Sequence, residues 1–174
     1  MKYLITGAGG QLGYDVKREL LKRGVSEKDI ATPRSSELDI TDAKAVENYV
    51  KNFHPDVIFH CAAYTNVDGA ESDEESCRKV NVDGTENLTR AAEQVDAKII
   101  YVSTDYVFDG ENSEPYNTND ATNPQGVYGK TKREGERAVQ QYPKHFIVRT
   151  AWVFGLNGKN FIKTMLKVAQ GRDE

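Results

Sequence analysis

The sequence predicts an α/β fold built on a doubly wound parallel sheet, and three observations lead there. Short apolar, β-rich runs recur along the chain, longer amphipathic stretches of helical period separate them, and the apolar runs are near-continuous, as in strands covered on both faces. Right-handed crossovers then place helices on both sides of the sheet. With 174 residues, 38% of them hydrophobic and 29% charged, the chain is long enough for one domain with a sizeable core.

The first strand is expected at 2–6, "KYLIT", followed by the glycine loop "TGAGGQLG" and a helix over 11–23. "DIAT" at 29–32 is a weak second strand. A helix over 42–53 starts just after Thr41, with Asp42 and Glu47 toward its positive end. "DVIFHCAA" at 56–63 is the third strand, 73–94 a helix, and "KIIYVST" at 98–104 the fourth strand. Residues 105–126 are rich in Asn, Asp, Pro and Gly without usable periodicity; a loop of that length inside a domain marks a functional segment. A helix over 126–142 and a fifth strand over 146–154 follow, and "NFIKTMLKVAQGRDE" reads as an amphipathic helix that stops just after Gly171.

The net charge of -4 and pI near 5.5 offer no general attraction to nucleic acid or anionic membranes, so neither partner is expected. No apolar run approaches a membrane span, and "MKYLITGAGG" enters the glycine loop without room for a signal segment. Cys61 and Cys77 lack both metal-ligand spacing and the density of a secreted disulfide scaffold. Reduced thiols in a cytoplasm, and no metal, are the expectation. His54, His60 and His145 are scattered and are given no catalytic role.

Gly7, Gly10 and Gly13 have the spacing G-x-x-G-x-x-G between the first strand and a helix opening near Gln11. Glycines there permit a tight turn, close approach of backbone to a pyrophosphate, and close helix–strand packing, while the helix N-terminus offers amide donors. A plain glycine-lined turn would use the same residues, but strand, loop and helix in this order favour a dinucleotide. The expectation is a Rossmann-type domain holding NADPH or NADH, with Gly7, Gly10, Gln11, Leu12 and Gly13 at the cofactor. No Gly-Lys-Ser/Thr follows, which disfavours a Walker loop. "TPRSSELD" puts no acid at the end of the second strand; Arg34 with Ser35 could hold a 2′-phosphate, so NADPH fits and NADH stays open. A solvated arginine is the alternative. Asp39 and Ile40 stand where an adenine could be held, although capping the next helix would also account for Asp39.

In "VYGKTKREGE", Tyr128 and Lys132 share a helical face while Lys130 points elsewhere. A phenol with a pKa of about 10 is a poor acid or base at neutrality unless a cation favours the phenolate. Lys132 is placed to do this, yet the same spacing describes a surface pair. Ser103 and Thr104, at the carboxyl end of the fourth strand where open α/β sheets bind ligands, favour a site: a hydroxyl there can donate to a carbonyl oxygen that the phenol protonates.

Five motifs in order, "TGAGGQLG", "HCAAYTNVDGAE", "VNVDGT", "STDYVFDG" and "YGKTK", resemble the extended short-chain dehydrogenase/reductase superfamily. Within it the chain is similar over its whole length to the dTDP-4-dehydrorhamnose reductase family, whose members carry "AAYT-VD-AE", then "STDYVFDG", "PY", an Asp, a Pro and "YG-[ST]K--GE". The resemblance implies reduction of the 4-keto group of dTDP-4-dehydro-L-rhamnose by NAD(P)H to dTDP-L-rhamnose, the last step of dTDP-rhamnose biosynthesis. It makes Tyr128 the general acid, has Lys132 lower its pKa and hold the nicotinamide ribose, and has Thr104 hydrogen-bond the keto oxygen. It lays Ala62, Ala63, Tyr64 and Thr65 along the cofactor and puts Asp105 and Trp152 at the substrate. A buried strand end accounts equally for the alanines, a core position for Trp152, and a structural hydrogen bond for Asn81. A homodimer is an assembly it allows.

Related sugar-nucleotide 4,6-dehydratases have Asp-Glu after the threonine, because elimination needs a further acid–base pair; here Thr104-Asp105-Tyr106 fits a reductase better. Epimerases usually lack the "TDYVFDG" run. The rival of another class is a non-catalytic NADP-binding regulatory subunit, like the β-subunit of eukaryotic methionine adenosyltransferase, which would not need Thr104, Tyr128 and Lys132 together. Two departures from the family stand out. Its members are longer, so residues 1–174 are expected to be the NAD(P)-binding domain, truncated before the small C-terminal lobe that supplies most of the nucleotide-sugar site. "PYNTND" also lacks an acid often found between its Tyr and Asp.

Overall fold

A computed structural model describes residues 1–171. Five parallel strands, β1 (Tyr3–Thr6), β2 (Ile30–Ala31), β3 (Val57–His60), β4 (Lys98–Thr104) and β5 (His145–Thr150), form a sheet ordered β2-β1-β3-β4-β5. The winding reverses between β1 and β3, where Ile5 pairs with Phe59 and Thr6 with His60. At such a switch point the loops leaving the two strands diverge and open a crevice. Leu4, Ile58, Ile99 and Tyr101 of the sheet pack with Val46, Val50, Leu88 and Val139 of the helices, all fully buried. Each such aliphatic side chain contributes about 2 kcal/mol.

The helices are α1 (Gln11–Lys22), α2 (Ala43–Phe53), α3 (Val67–Ser72), α4 (Glu74–Arg78), α5 (Gly84–Gln94), α6 (Val127–Gln140) and α7 (Phe161–Gln170). Asp42, rather than Thr41, caps α2, its Oδ1 accepting from the amides of Lys44 and Ala45 at 2.9 and 3.0 Å. The helix expected over 73–94 is divided. Asp73 caps α4 through the Ser76 amide, and a π-helical turn at Lys79–Asp83 joins α4 to α5. Two strands end earlier than their apolar runs. After His60 the chain leaves the ladder, and after Thr150 it turns away through Trp152 at φ 54. Those trailing residues are apolar because they line a cavity. Arg172 to Glu174, the end of the expected last helix segment, lie outside the described residues. Among the described residues no helix is long and apolar enough to cross a membrane.

His60 ties three elements together. The Ala62 amide donates to Thr6 Oγ1, Thr6 Oγ1 pairs with His60 Nδ1 at 2.9 Å, His60 Nε2 pairs with Thr85 Oγ1 at 3.0 Å, and Thr85 Oγ1 donates to the Asn81 carbonyl. With Thr85 donating onward, Nε2 carries the proton; burial disfavours a second proton, so the ring is neutral and Nδ1 accepts from the Thr6 hydroxyl. Burial, with Lys132 adding to it, pushes the pKa down to about 3. The unfolded chain binds a proton near pH 6.5 and the folded one does not, so this stability is complete above about 6.5 and is lost as pH falls toward about 3. Urea unfolding is expected to show about 2 kcal/mol less stability from this group at pH 4.5 than at pH 7, and His60→Gln to flatten that difference.

Candidate active site

At the carboxyl edge of the sheet, over the switch point, lies a cleft of about 840 Å³. Gly7, Gly10, Gln11, Leu12, Gly13, Arg34, Asp39, Ile40, Ala62, Ala63, Thr65, Tyr128 and Lys132 all line it, as do Thr104, Asp105 and Trp152. Tyr64 is not among its lining residues. Asn81 Oδ1 accepts from its amide at 2.9 Å and Asn81 Nδ2 donates to its carbonyl at 3.1 Å, which turns the tyrosine toward Gly69 of α3. Tyr64 thus sits beside the cleft with its hydroxyl toward α3, and Asn81 is a structural support for this segment.

The turn out of β1 needs Gly7 at φ +68, where a side chain would be strained and a Cβ would fall 2.6 Å from the Ala62 amide nitrogen. Gly13 in the first turn of α1 faces the Gly7 carbonyl, so helix and loop are in backbone contact. Gly10 caps α1 with no side-chain acceptor and no acid stands in the first turn, whereas Asp42, Asn66, Asp73 and Asn160 cap α2, α3, α4 and α7. The α1 amides are thus left for an anion in the cleft. Asn157 Nδ2 donates to the Gly9 and Gly10 carbonyls at 2.9 and 3.2 Å, holding the chain after β5 across the loop. Arg34 and Ser35 are exposed on the rim, and the Arg34 guanidinium has no hydrogen-bond partner among the described residues. Asp39 does not cap α2. Its Oδ1 accepts from the amide and hydroxyl of Thr41, which holds its carboxyl below the usual range. The Ile40 carbonyl is held by Asn87 Nδ2 at 3.0 Å.

At the other end of the cleft, Thr104 closes β4, accepting from the Tyr106 amide at 3.2 Å and donating to Asp105 Oδ1 at 3.0 Å. Tyr128, in the first turn of α6, meets the Tyr106 ring edge-on at 5.6 Å. Lys132 is only 2% exposed, its Nζ donating to the Val102 carbonyl at 2.7 Å and lying 4.1 Å from the Tyr101 ring centre. The pair is therefore no surface pair. Gly129 allows this approach, since a Cβ there would strike the Tyr106 carbonyl at 2.2 Å. Lys130 is exposed.

The electrostatics differ from the expectation that Lys132 lowers the tyrosine. Burial pushes Lys132 down to about 7 against the opposing pull of Glu136. Burial also raises the Tyr128 phenol above its ordinary value, with help from the Asp105 charge and against the neighbouring Thr104 hydroxyl. A lysine whose own charge is disfavoured and engaged by a carbonyl is a weak stabiliser of phenolate. Trp152 is 78% exposed at the rim, against Phe161, so it is not a core residue.

Two acids were not foreseen. Glu71 Oε1 accepts the Val127 amide at 2.8 Å and so caps the helix bearing Tyr128. Glu136 is fully buried. Its position four residues beyond Lys132, on the same helical face, was the signal available for it. Among the described residues no group of three or more His, Cys, Asp or Glu could hold a metal ion.

A family model described as the RmlD substrate binding domain matches residues 1–174. A dTDP-4-dehydrorhamnose reductase of Aggregatibacter actinomycetemcomitans is 47% identical over 173 residues, covering 99% of this chain and 58% of the relative. One from Mycobacterium tuberculosis is 46% identical, with 98% and 56% covered. The crystal structure of the Bacillus anthracis dTDP-4-dehydrorhamnose reductase in complex with NADP matches with a TM-score of 0.94 at 40% identity, over 99% of this chain and 62% of that one. The chain thus spans less than two thirds of the relatives it matches.

Proposed function

The chain belongs to the family of RmlD substrate binding domains, and on that premise we propose that residues 1–174 are the cofactor-binding and catalytic domain of a dTDP-4-dehydrorhamnose reductase. The reaction is reduction of dTDP-4-dehydro-L-rhamnose to dTDP-L-rhamnose by NADPH or NADH, in the cytoplasm, where Cys61 and Cys77 stay reduced. The observation that carries this reading is the convergence of Thr104, Tyr128 and Lys132 at one end of a cleft whose other end is the glycine loop.

The cleft suits a dinucleotide by its construction: an uncapped helix start, backbone packed too closely for any Cβ at Gly7 or Gly13, and an unpartnered guanidinium on the rim. When bound, the cofactor supplies hydride. The amides of Gln11, Leu12 and Gly13 would hold its pyrophosphate, Arg34 and Ser35 a 2′-phosphate, Asp39 and Ile40 the adenine end, and Ala62, Ala63, Thr65 and Lys132 the ribose and nicotinamide end.

Thr104 can redirect its hydroxyl proton from Asp105 to the sugar's keto oxygen, which draws electron density from the carbonyl carbon. Tyr128 gives its proton to that oxygen as it becomes an alkoxide. A phenol held above its ordinary pKa stays protonated throughout the neutral range, which suits the reductive direction. Asp105 and Trp152 stand beside it to contact the sugar. The separation from dehydratases is the absence of a second acid after Asp105, where Tyr106 supplies only a phenol.

NADPH oxidation on addition of dTDP-4-dehydro-L-rhamnose, with dTDP-L-rhamnose as product, tests the proposal. Cofactor binding with no oxidation by a protein of the relatives' full length would overturn it in favour of a regulatory domain, whereas no oxidation by residues 1–174 alone would point to the missing sugar-binding lobe. Arg34→Ala is expected to weaken NADPH about tenfold and leave NADH within about twofold, as loss of one charge-assisted contact requires. Equal effects on the two cofactors would dismiss Arg34 as a 2′-phosphate ligand.

A further inference from the structure

Glu136 has a buried carboxylate joined to more partners than one helix needs. Ser103 Oγ donates to its Oε1 at 2.6 Å, Arg149 bonds both oxygens through Nε and Nη2 at 2.8 Å each, and Arg133 Nη1 reaches Oε2 at 3.1 Å. Each arginine also holds the long loop between β4 and α6. Arg149 Nη1 donates to the Thr118 carbonyl at 3.3 Å, and its guanidinium lies 5.0 Å from the Phe108 ring centre. Arg133 Nε donates to Thr122 Oγ1 at 2.8 Å.

The loop is knotted within itself. Tyr116 stacks on Phe108 at 4.1 Å and donates to Asp109 Oδ1 at 2.8 Å, while Asn123 Nδ2 reaches Asp109 Oδ2 at 3.3 Å. Knotted in this way, it forms one wall of a second cavity of about 390 Å³, which shares Asp105, Tyr106 and Tyr128 with the main cleft. The orientation of that wall relative to Tyr128 therefore depends on the two arginines, and theirs on Glu136.

We propose that Glu136 is a positioning residue which, through Arg133 and Arg149, clamps loop 108–125 as the wall of the sugar-binding side of the site. The assignment of a nucleotide sugar to that side rests on the reading under Proposed function; the clamp itself does not. A single buried carboxylate suits the task because a planar guanidinium can bond it on one edge and a loop acceptor on another. Glutamine keeps the shape but leaves two guanidinium charges without a counterion.

Hydrogen–deuterium exchange over 108–125 tests the clamp in Glu136→Gln and in Thr122→Val, which cuts only the outer end of one tie and leaves the buried cluster whole. Exchange of loop amides is expected to rise about tenfold in Glu136→Gln and severalfold in Thr122→Val, and Thr122→Val keeps NADPH affinity within about twofold of wild type. In turnover by a protein of the relatives' full length, Thr122→Val is expected to raise KM for the sugar severalfold at unchanged kcat and unchanged KM for NADPH. Unchanged loop exchange in both variants, or a rise spread equally over β4 and α6, would overturn the clamp. Absence of turnover in a wild-type protein of the relatives' full length would count against the catalytic reading and leave the exchange result to decide the clamp.

Discussion

Tyr128→Phe is expected to lower turnover of the 4-keto sugar about a thousandfold while leaving NADPH affinity within about twofold. The substitution removes one oxygen and keeps the ring, which meets Tyr106 edge-on at 5.6 Å and fills the same space at the start of α6. Glu71 still caps the helix through the Val127 amide, and Lys132 still bonds the Val102 carbonyl, so neither backbone nor lysine needs to move. What is lost is the proton donor. Thr104 cannot replace it, because a secondary hydroxyl is far less acidic than a phenol and its proton is already shared with Asp105 at 3.0 Å. Steady-state NADPH oxidation and a fluorescence titration of the cofactor measure the two halves of the prediction. Turnover within tenfold of wild type would mean that the proton arrives from elsewhere.

The pH profile carries a further sign. A general acid must be protonated, and the phenol is held above its ordinary value by burial and by the Asp105 charge. No loss of turnover between pH 6 and 9 is then due to Tyr128. Lys132, pushed down to about 7, loses its charge inside this window as pH rises. A decline centred near neutrality and absent in Lys132→Met would belong to the lysine.

This division of labour was only half legible in the sequence. The interval between Tyr128 and Lys132 specifies a shared helical face, but the same interval describes a solvated pair; the depth at which α6 sits depends on Gly129 meeting the Tyr106 carbonyl, a contact with no local sequence pattern. The dielectric at Lys132 follows from that depth. Apolar runs located all five strands yet overran the ends of β3 and β5, because Cys61 to Ala63 and Trp152 to Val153 are apolar for the cleft's sake and not for a ladder. The π-helical turn at Lys79–Asp83 is invisible to a search at helical period, and it lies where Asn81 holds Tyr64 beside the cleft. A motif transferred as the unbroken run from Ala62 to Thr65 does not show that the Tyr64 hydroxyl lies beside Gly69 of α3.

The glycine spacing was legible, and its physical content is a second large expected effect. Gly13→Val should weaken NADPH binding about a hundredfold, roughly 3 kcal/mol, and lower the melting temperature by several degrees. A Cβ at this buried position would lie 2.5 Å from the Gly7 carbonyl oxygen, 2.8 Å from Ala8 Cα and 2.9 Å from the Gly7 carbonyl carbon. All three are backbone atoms, so no side chain can rotate to make room, and α1 has to withdraw from the loop. Withdrawal swings the amides of Gln11 and Leu12 away from the cleft, which is why binding falls further than overpacking alone would require. Gly9→Ala is the control: it stands in the same loop, yet its Cβ would meet nothing within 4 Å, and affinity should stay within about twofold. Isothermal titration of both variants separates a loop that needs glycine at one defined contact from a loop that is merely rich in it. Equal losses at the two positions would place the requirement in loop flexibility and remove the packing of α1 on Gly7 as the source of the binding site.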